Sequence, residues 1–306
     1  MNLEVQLAQT CSHRLLLKNP VIAASGTFGY GTEYSSMFDI QRLGAIVCKG
    51  TTLESREGNC QPRLKETPAG LLNSIGLQNI GVEAVIREKA PIWKGWQVPV
   101  IVNIAAEKLE DYVKLTQLLN SVPGISGLEI NISCPNMLAG GIEFGTSSQA
   151  AAEVTKAVRE ATTLPILVKL TPSASNVIEV AMAVAKAGAN TISLVNTFPG
   201  MAIDTSTRKP FLGNLTGGLS GPAIKPIAVY MVYHTAKALD IPIVGCGGII
   251  SANDALEFIM AGASAVQVGT ANLTNPQATL DVLEGIEQFM KQEGIQDISE
   301  IIGAAH

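Results

Sequence analysis

Eight short apolar runs, rich in β-branched residues and separated by longer intervening stretches, constrain the fold of this 306-residue chain more than any other feature. They are Val21 to Ala24, Ala45 to Cys48, Val98 to Ile104, Leu128 to Ile132, Ile166 to Leu170, Thr191 to Val195, Ile241 to Val244 and Ala265 to Val268. Between several of them, Ala150 to Glu160, Asn176 to Lys186 and Asn253 to Met260 carry apolar residues at helical spacing. Gly188, Gly262 and prolines ahead of several runs punctuate the switches. Strands that alternate with helices imply right-handed parallel crossovers, and eight such units predict a closed (β/α)8 TIM barrel rather than an open doubly wound sheet. No linker or shift in composition marks a second domain, so residues 1–306 read as one barrel domain. Residues 1–18 precede the first barrel strand and are expected to form a small hairpin closing the barrel bottom.

Three connections are longer than a barrel needs: Thr51 to Gln97, Cys134 to Ser148 and Thr197 to Lys225. Each follows the carboxyl end of a strand, the face on which such barrels carry their sites. They read as extended loops serving as lids and pocket walls.

Composition excludes several alternatives. The net charge is -5, 15% of residues are charged and no basic block occurs, which argues against nucleic acid. The amino-terminal residues lack a basic start followed by an apolar core, and no apolar run approaches the ~18 residues of a membrane span. A soluble, cytoplasmic protein is expected. The five cysteines are scattered without a C-x-x-C pair, and the three histidines lack ligand spacing. No metal site is therefore expected, and free thiols in a reducing compartment are the simplest account.

The stretch most suggestive of chemistry is Leu128-Glu129-Ile130-Asn131-Ile132-Ser133-Cys134-Pro135-Asn136. Its alternation reads as a strand with one buried face, broken where proline lacks an N–H and restricts the residue before it. An amide, a thiol and a second amide thus gather at a strand end, followed by a glycine-bearing loop able to cover them. The plain alternative is a buried, inert cysteine. Gly247-Gly248 after the seventh strand and Gly269-Thr270 after the eighth let backbone N–H groups approach a phosphate, or are simply tight turns. Ser251 and Asp254 have the spacing of a capping box. Neither a GxGxxG nor a Walker pattern occurs. Lys49 and Lys169 interrupt apolar runs; each snorkels to the surface or meets an anionic ligand in the barrel mouth. Asn103, Asn131 and Asn196-Thr197 end three strands, as turn residues or as amides reading the edge of a flat heterocycle.

Several of these elements together resemble a known family. Asn19-Pro20-Val21, Ser25-Gly26-Thr27-Phe28-Gly29, Asn73-Ser74-Ile75-Gly76-Leu77-Gln78-Asn79, Asn131-Ile132-Ser133-Cys134-Pro135-Asn136, Gly217-Gly218-Leu219-Ser220-Gly221 and Val244-Gly245-Cys246-Gly247-Gly248 are similar to the class 1 dihydroorotate dehydrogenases. The likeness runs from about Asn19 to about Asn275. The loop Gly140 to Thr146 resembles the NAD-linked (class 1B) subtype; Val195, where that subtype often has isoleucine, is a mild departure. The resemblance implies FMN-dependent oxidation of dihydroorotate to orotate in pyrimidine (UMP) biosynthesis, with electrons passed to NAD. This chain would be the catalytic subunit, in a heterotetramer built on its dimer, with FAD and [2Fe-2S] on a partner subunit.

Carried over by position, the resemblance makes Cys134 the general base at carbon five of dihydroorotate while hydride leaves carbon six. Lys49, Asn73, Ser74, Ile75, Gly76, Leu77, Asn131, Asn196 and Thr197 would hold substrate. Ser25, Lys49, Gly50, Asn103, Asn131, Lys169, Val195 and Gly221 would line the flavin, with Gly247, Gly248, Gly269 and Thr270 at its phosphate. The rival readings are a fumarate-linked dihydroorotate enzyme, a dihydropyrimidine-type reductase, a flavin-free aldolase using a Lys169 Schiff base, and a non-catalytic binding barrel.

Overall fold

The computed structural model describes residues 1–9, 14–133, 135–136 and 142–306. The chain begins with a hairpin of β1 (Val5–Gln9) and β2 (Arg14–Leu17), followed by β3 (Val21–Ala23) and β4 (Ala45–Val47). A second hairpin, β5 (Leu64–Thr67) and β6 (Gly70–Asn73), precedes β7 (Val100–Ile104), α1 (Leu109–Leu119), β8 (Gly127–Asn131) and α2 (Ser148–Ala161). Next come β9 (Ile166–Lys169), α3 (Val177–Lys186), β10 (Thr191–Leu194), β11 (Phe198–Gly200) and β12 (Gly217–Ser220). The chain continues through α4 (Lys225–Ala238), β13 (Ile243–Cys246), α5 (Ala252–Met260), β14 (Ala265–Val268) and α6 (Ala278–Glu293).

Strands β3, β4, β7, β8, β9, β10, β13 and β14 close in that order into a parallel barrel, β14 pairing back onto β3. They coincide with the eight apolar runs. Two start later than expected, after Pro99 and Pro242, because proline has no N–H to give the ladder. The three helices expected from spacing form α2, α3 and α5, and side-chain caps explain where they begin. Ser147 and Asn176 cap α2 and α3, and Ser251 with Asp254 forms the capping box of α5.

The expectation of one buried face on the strand at Leu128 needs correction. Glu129 is as buried as Leu128 and Ile130. In a barrel covered by helices, alternation separates the helix-facing side of a strand from the barrel interior, and both are dry. The interior is layered accordingly. At the bottom, Leu7, Leu15 and Leu17 of the hairpin pack on Ile22, Val47, Ile101, Leu167 and Val244. The Thr191 hydroxyl donates to the Leu7 carbonyl at 2.7 Å, tying hairpin to barrel.

Two of the three long connections are more ordered than loops. Strands β11, β12, β6 and β5 pair in that order as an antiparallel sheet, joining the connection after β4 to the one after β10. Glycines at 217 and 218 weaken the strand signal there, so pairing across two distant segments was not legible from propensity. Among the described residues, no helix is long and apolar enough to cross a membrane.

Candidate active site

The barrel strands deliver their carboxyl ends to a cavity of about 620 Å³, walled on one side by the four-stranded sheet. Every residue singled out for substrate or cofactor lines this cavity except Cys134. Cys134 lies outside the described residues; its neighbour Ser133 lines the cavity. Around that gap, Asn136 and Pro135 pair with Ile142 and Glu143, and the Gly145 amide donates to the Ile132 carbonyl at 2.9 Å.

Amides dominate one side. Asn196 Nδ2 donates to Asn131 Oδ1 at 3.3 Å, and the Ser133 amide donates to the same oxygen at 3.1 Å. With both contacts on its oxygen, the Asn131 amide directs its own N–H groups elsewhere. Asn196 Oδ1 accepts from the Thr197 amide at 2.8 Å, and Asn73 Nδ2 donates to the Gly218 carbonyl at 3.2 Å across β6 and β12. Leu77 has φ 52°, a left-handed backbone that a branched side chain seldom adopts, in the segment facing the cavity.

The opposite side is built from backbone. Among the described residues, the amides of Gly247, Gly248, Gly269 and Thr270 find no hydrogen-bond acceptor, although they lie at two adjacent strand ends. These residues are half-buried, and free amides gathered at two adjacent strand ends can serve as an anion cradle. Gly248 is required here: its φ is 76°, and a Cβ would stand 2.8 Å from the Gly221 carbonyl oxygen. The α5 amino terminus is already served by its own capping box, with Asp254 Oδ2 accepting from the Ile250 and Ser251 amides. The cradle therefore consists of turns rather than a helix end. Two hydroxyls of the cavity wall, Thr27 Oγ1 and Ser133 Oγ, are buried without a partner among the described residues. Such atoms ask for a polar ligand.

Two ammonium groups reach the mouth. Burial pulls the Lys49 pKa below the ordinary lysine value, partly offset by Glu33. Lys169 is more buried, and burial alone would depress it further. Cys246 and Glu129, the two neighbours able to carry negative charge, outweigh that and hold it above the usual value. Burial also pushes the Cys246 thiol up, so it stays protonated at neutral pH and the counter-charge that matters is Glu129.

Sequence reading named Asn103 and Lys169 but gave no role to the group that joins them. Glu129 accepts from Asn103 Nδ2 at 2.8 Å, Ser193 Oγ at 3.0 Å and Gln267 Nε2 at 2.6 Å, and Lys169 Nζ donates to Gln267 Oε1 at 3.0 Å. The signal was present: Glu129 and Gln267 interrupt apolar runs just as Lys169 does. Cys246, Thr27 and Ser220 also line the cavity without having been singled out.

Comparison with known proteins gives the same direction. The family model described as dihydroorotate dehydrogenase matches residues 6–290. The chain is 54% identical over its full length to a protein of Desulforamulus reducens, 99% of which is covered. It is 52% identical over 288 residues to one of Geotalea uraniireducens (94% of each chain), and 51% over 290 residues to one of Porphyromonas gingivalis (95% of this chain, 94% of the other). All three bear the name dihydroorotate dehydrogenase B (NAD(+)), catalytic subunit. This barrel, with its amide-lined and lysine-bearing mouth, belongs to the dihydroorotate dehydrogenase family.

Proposed function

We propose that this chain is the catalytic subunit of an NAD-linked dihydroorotate dehydrogenase, oxidising dihydroorotate to orotate for pyrimidine biosynthesis with FMN in the barrel mouth. One observation carries the reading: motif residues scattered from Ser25 to Thr270 converge on one cavity. The donor set suits FMN. The free amides of Gly247, Gly248, Gly269 and Thr270 would take the phosphate, and Ser25, Gly50, Asn103, Lys169, Val195 and Gly221 would flank the ring. The bound flavin supplies the hydride acceptor and the route for electrons.

The remaining work falls to side chains of this chain. Asn73 to Leu77, Asn131, Asn196 and Thr197 hold the dihydropyrimidine through neutral donors and acceptors, adding no charge that would oppose the base. Lys49 meets the substrate's negative charge and the flavin. Cys134 takes the proton from carbon five as hydride departs carbon six; its role rests on the motif. A free thiol near ~8.5 is a workable base at neutral pH once water is excluded. Lys169 supports negative charge that grows on the ring.

The relatives' name, catalytic subunit, supports a second polypeptide. We assign it FAD and a [2Fe-2S] cluster, in a heterotetramer built on a dimer of this chain, since the five cysteines here lack cluster spacing. The test is product formation. The FMN-loaded chain with an artificial electron acceptor should convert dihydroorotate to orotate, and should reduce NAD but not use fumarate once the partner is added. FMN-loaded chain that forms no orotate would contradict the reading.

A further inference from the structure

A carboxylate in the middle of a barrel core is costly unless every lone pair is used and its charge is balanced. Glu129 is fully buried, and the contacts above reach it from β7, β10 and β14. All three are donors, as a carboxylate without a proton requires. That requirement fixes the neighbours. An amide facing a group that only accepts must turn its nitrogen inward, so the orientations of Asn103 and Gln267 are dictated rather than free to flip. Asn103 then presents Oδ1 away from Glu129, on the side of Gly50, whose Cβ would stand 3.1 Å from that oxygen. Gln267 turns Oε1 to the Lys169 ammonium, which can only donate.

The geometry points to Glu129 as the positioning residue of the site: through Gln267 it keeps Lys169 a cation, and through Asn103 it presents a fixed acceptor, so that the cavity floor favours a ring that gains negative charge. This rests on the flavin reading above. The ammonium faces Glu129 from β8 and Cys246 from β13, 4.0 Å away, while β10 and β14 bring the neutral Ser193 and Gln267. Cys246 is neutral by burial, which leaves Glu129 as the balancing charge.

Two variants separate this role from mere packing. Glu129→Gln removes the charge, and Gln267→Met keeps both charges but cuts the bridge at nearly constant volume. In FMN-loaded protein, the two-electron midpoint potential is read by spectroelectrochemistry across pH. At an alkaline pH where Lys169 has lost its proton in the variant but not in wild type, either variant should prefer reduced over oxidised flavin roughly tenfold less than wild type, a difference of about 30 mV. Its potential should also break at a lower alkaline pH, where Lys169 loses its proton. In flavin-free protein, alkaline unfolding should begin at lower pH in Glu129→Gln, and the difference should vanish in a Lys169→Met background. If wild type takes up no FMN, the flavin reading fails, and the flavin-free comparison still decides the pairing. Potentials and unfolding profiles that coincide with wild type in whichever variant folds would overturn the proposal.

Discussion

Lys49 and Lys169 share one rim but hold their protons differently. Burial lowers Lys49 with little to offset it, whereas Cys246 and Glu129 together hold Lys169 up. If Lys49 grips an anionic substrate, binding should weaken as pH rises through its depressed pKa, below the ordinary ~10.4. In a Cys134→Ser background, which removes the thiol from the titration, orotate affinity measured by flavin spectral change should show this alkaline loss. Lys49→Met should bind weakly at all pH with no such limb; an unchanged limb would remove Lys49 from the role. Cys134→Ser itself should retain FMN and slow flavin reduction by orders of magnitude, and near-normal reduction would exclude it as the base. At this scale the lysines and asparagines were legible because a polar residue inside an apolar run has to be explained. Glu129 carried the same signal, but its meaning depends on which strands meet in the barrel interior, and only closure of the barrel settles that.

The eight strands and three of the helices were readable from periodicity because each buries enough apolar surface to print its period on the sequence. The sheet over the mouth was not. Its strands β6 and β12 meet across the barrel opening, with Gly218 opposite Asn73. Such pairing between distant segments leaves no local period. The turns proposed to hold phosphate lie between these extremes: glycine pairs were visible, but the unpaired amides were not. Gly248→Ala tests that element. A methyl group there meets the Gly221 carbonyl and the Lys225 side chain in a backbone region that alanine avoids. FMN affinity, followed by fluorescence titration, should fall at least ~10-fold. Unchanged affinity would mean the cradle does not hold the phosphate.

Across the whole molecule, polarity rises from one end of the barrel to the other. The hairpin and the lowest interior residues are apolar. Above them lies the Glu129 layer, and above that a cavity rimmed by amides and ammonium groups. This gradient leaves the cavity at the carboxyl end, where the connections after β4 and β10 contribute to its wall. The end-to-end match to NAD-linked relatives fits a barrel whose two ends have separate tasks, stability below and chemistry above. The claim at the centre is that this mouth holds a flavin which dihydroorotate reduces. Absorption spectra of the FMN-loaded chain, recorded before and after anaerobic addition of dihydroorotate, test it most directly. The account predicts loss of the yellow flavin band with orotate formed in equal amount; a band that stays oxidised with substrate in excess would contradict it.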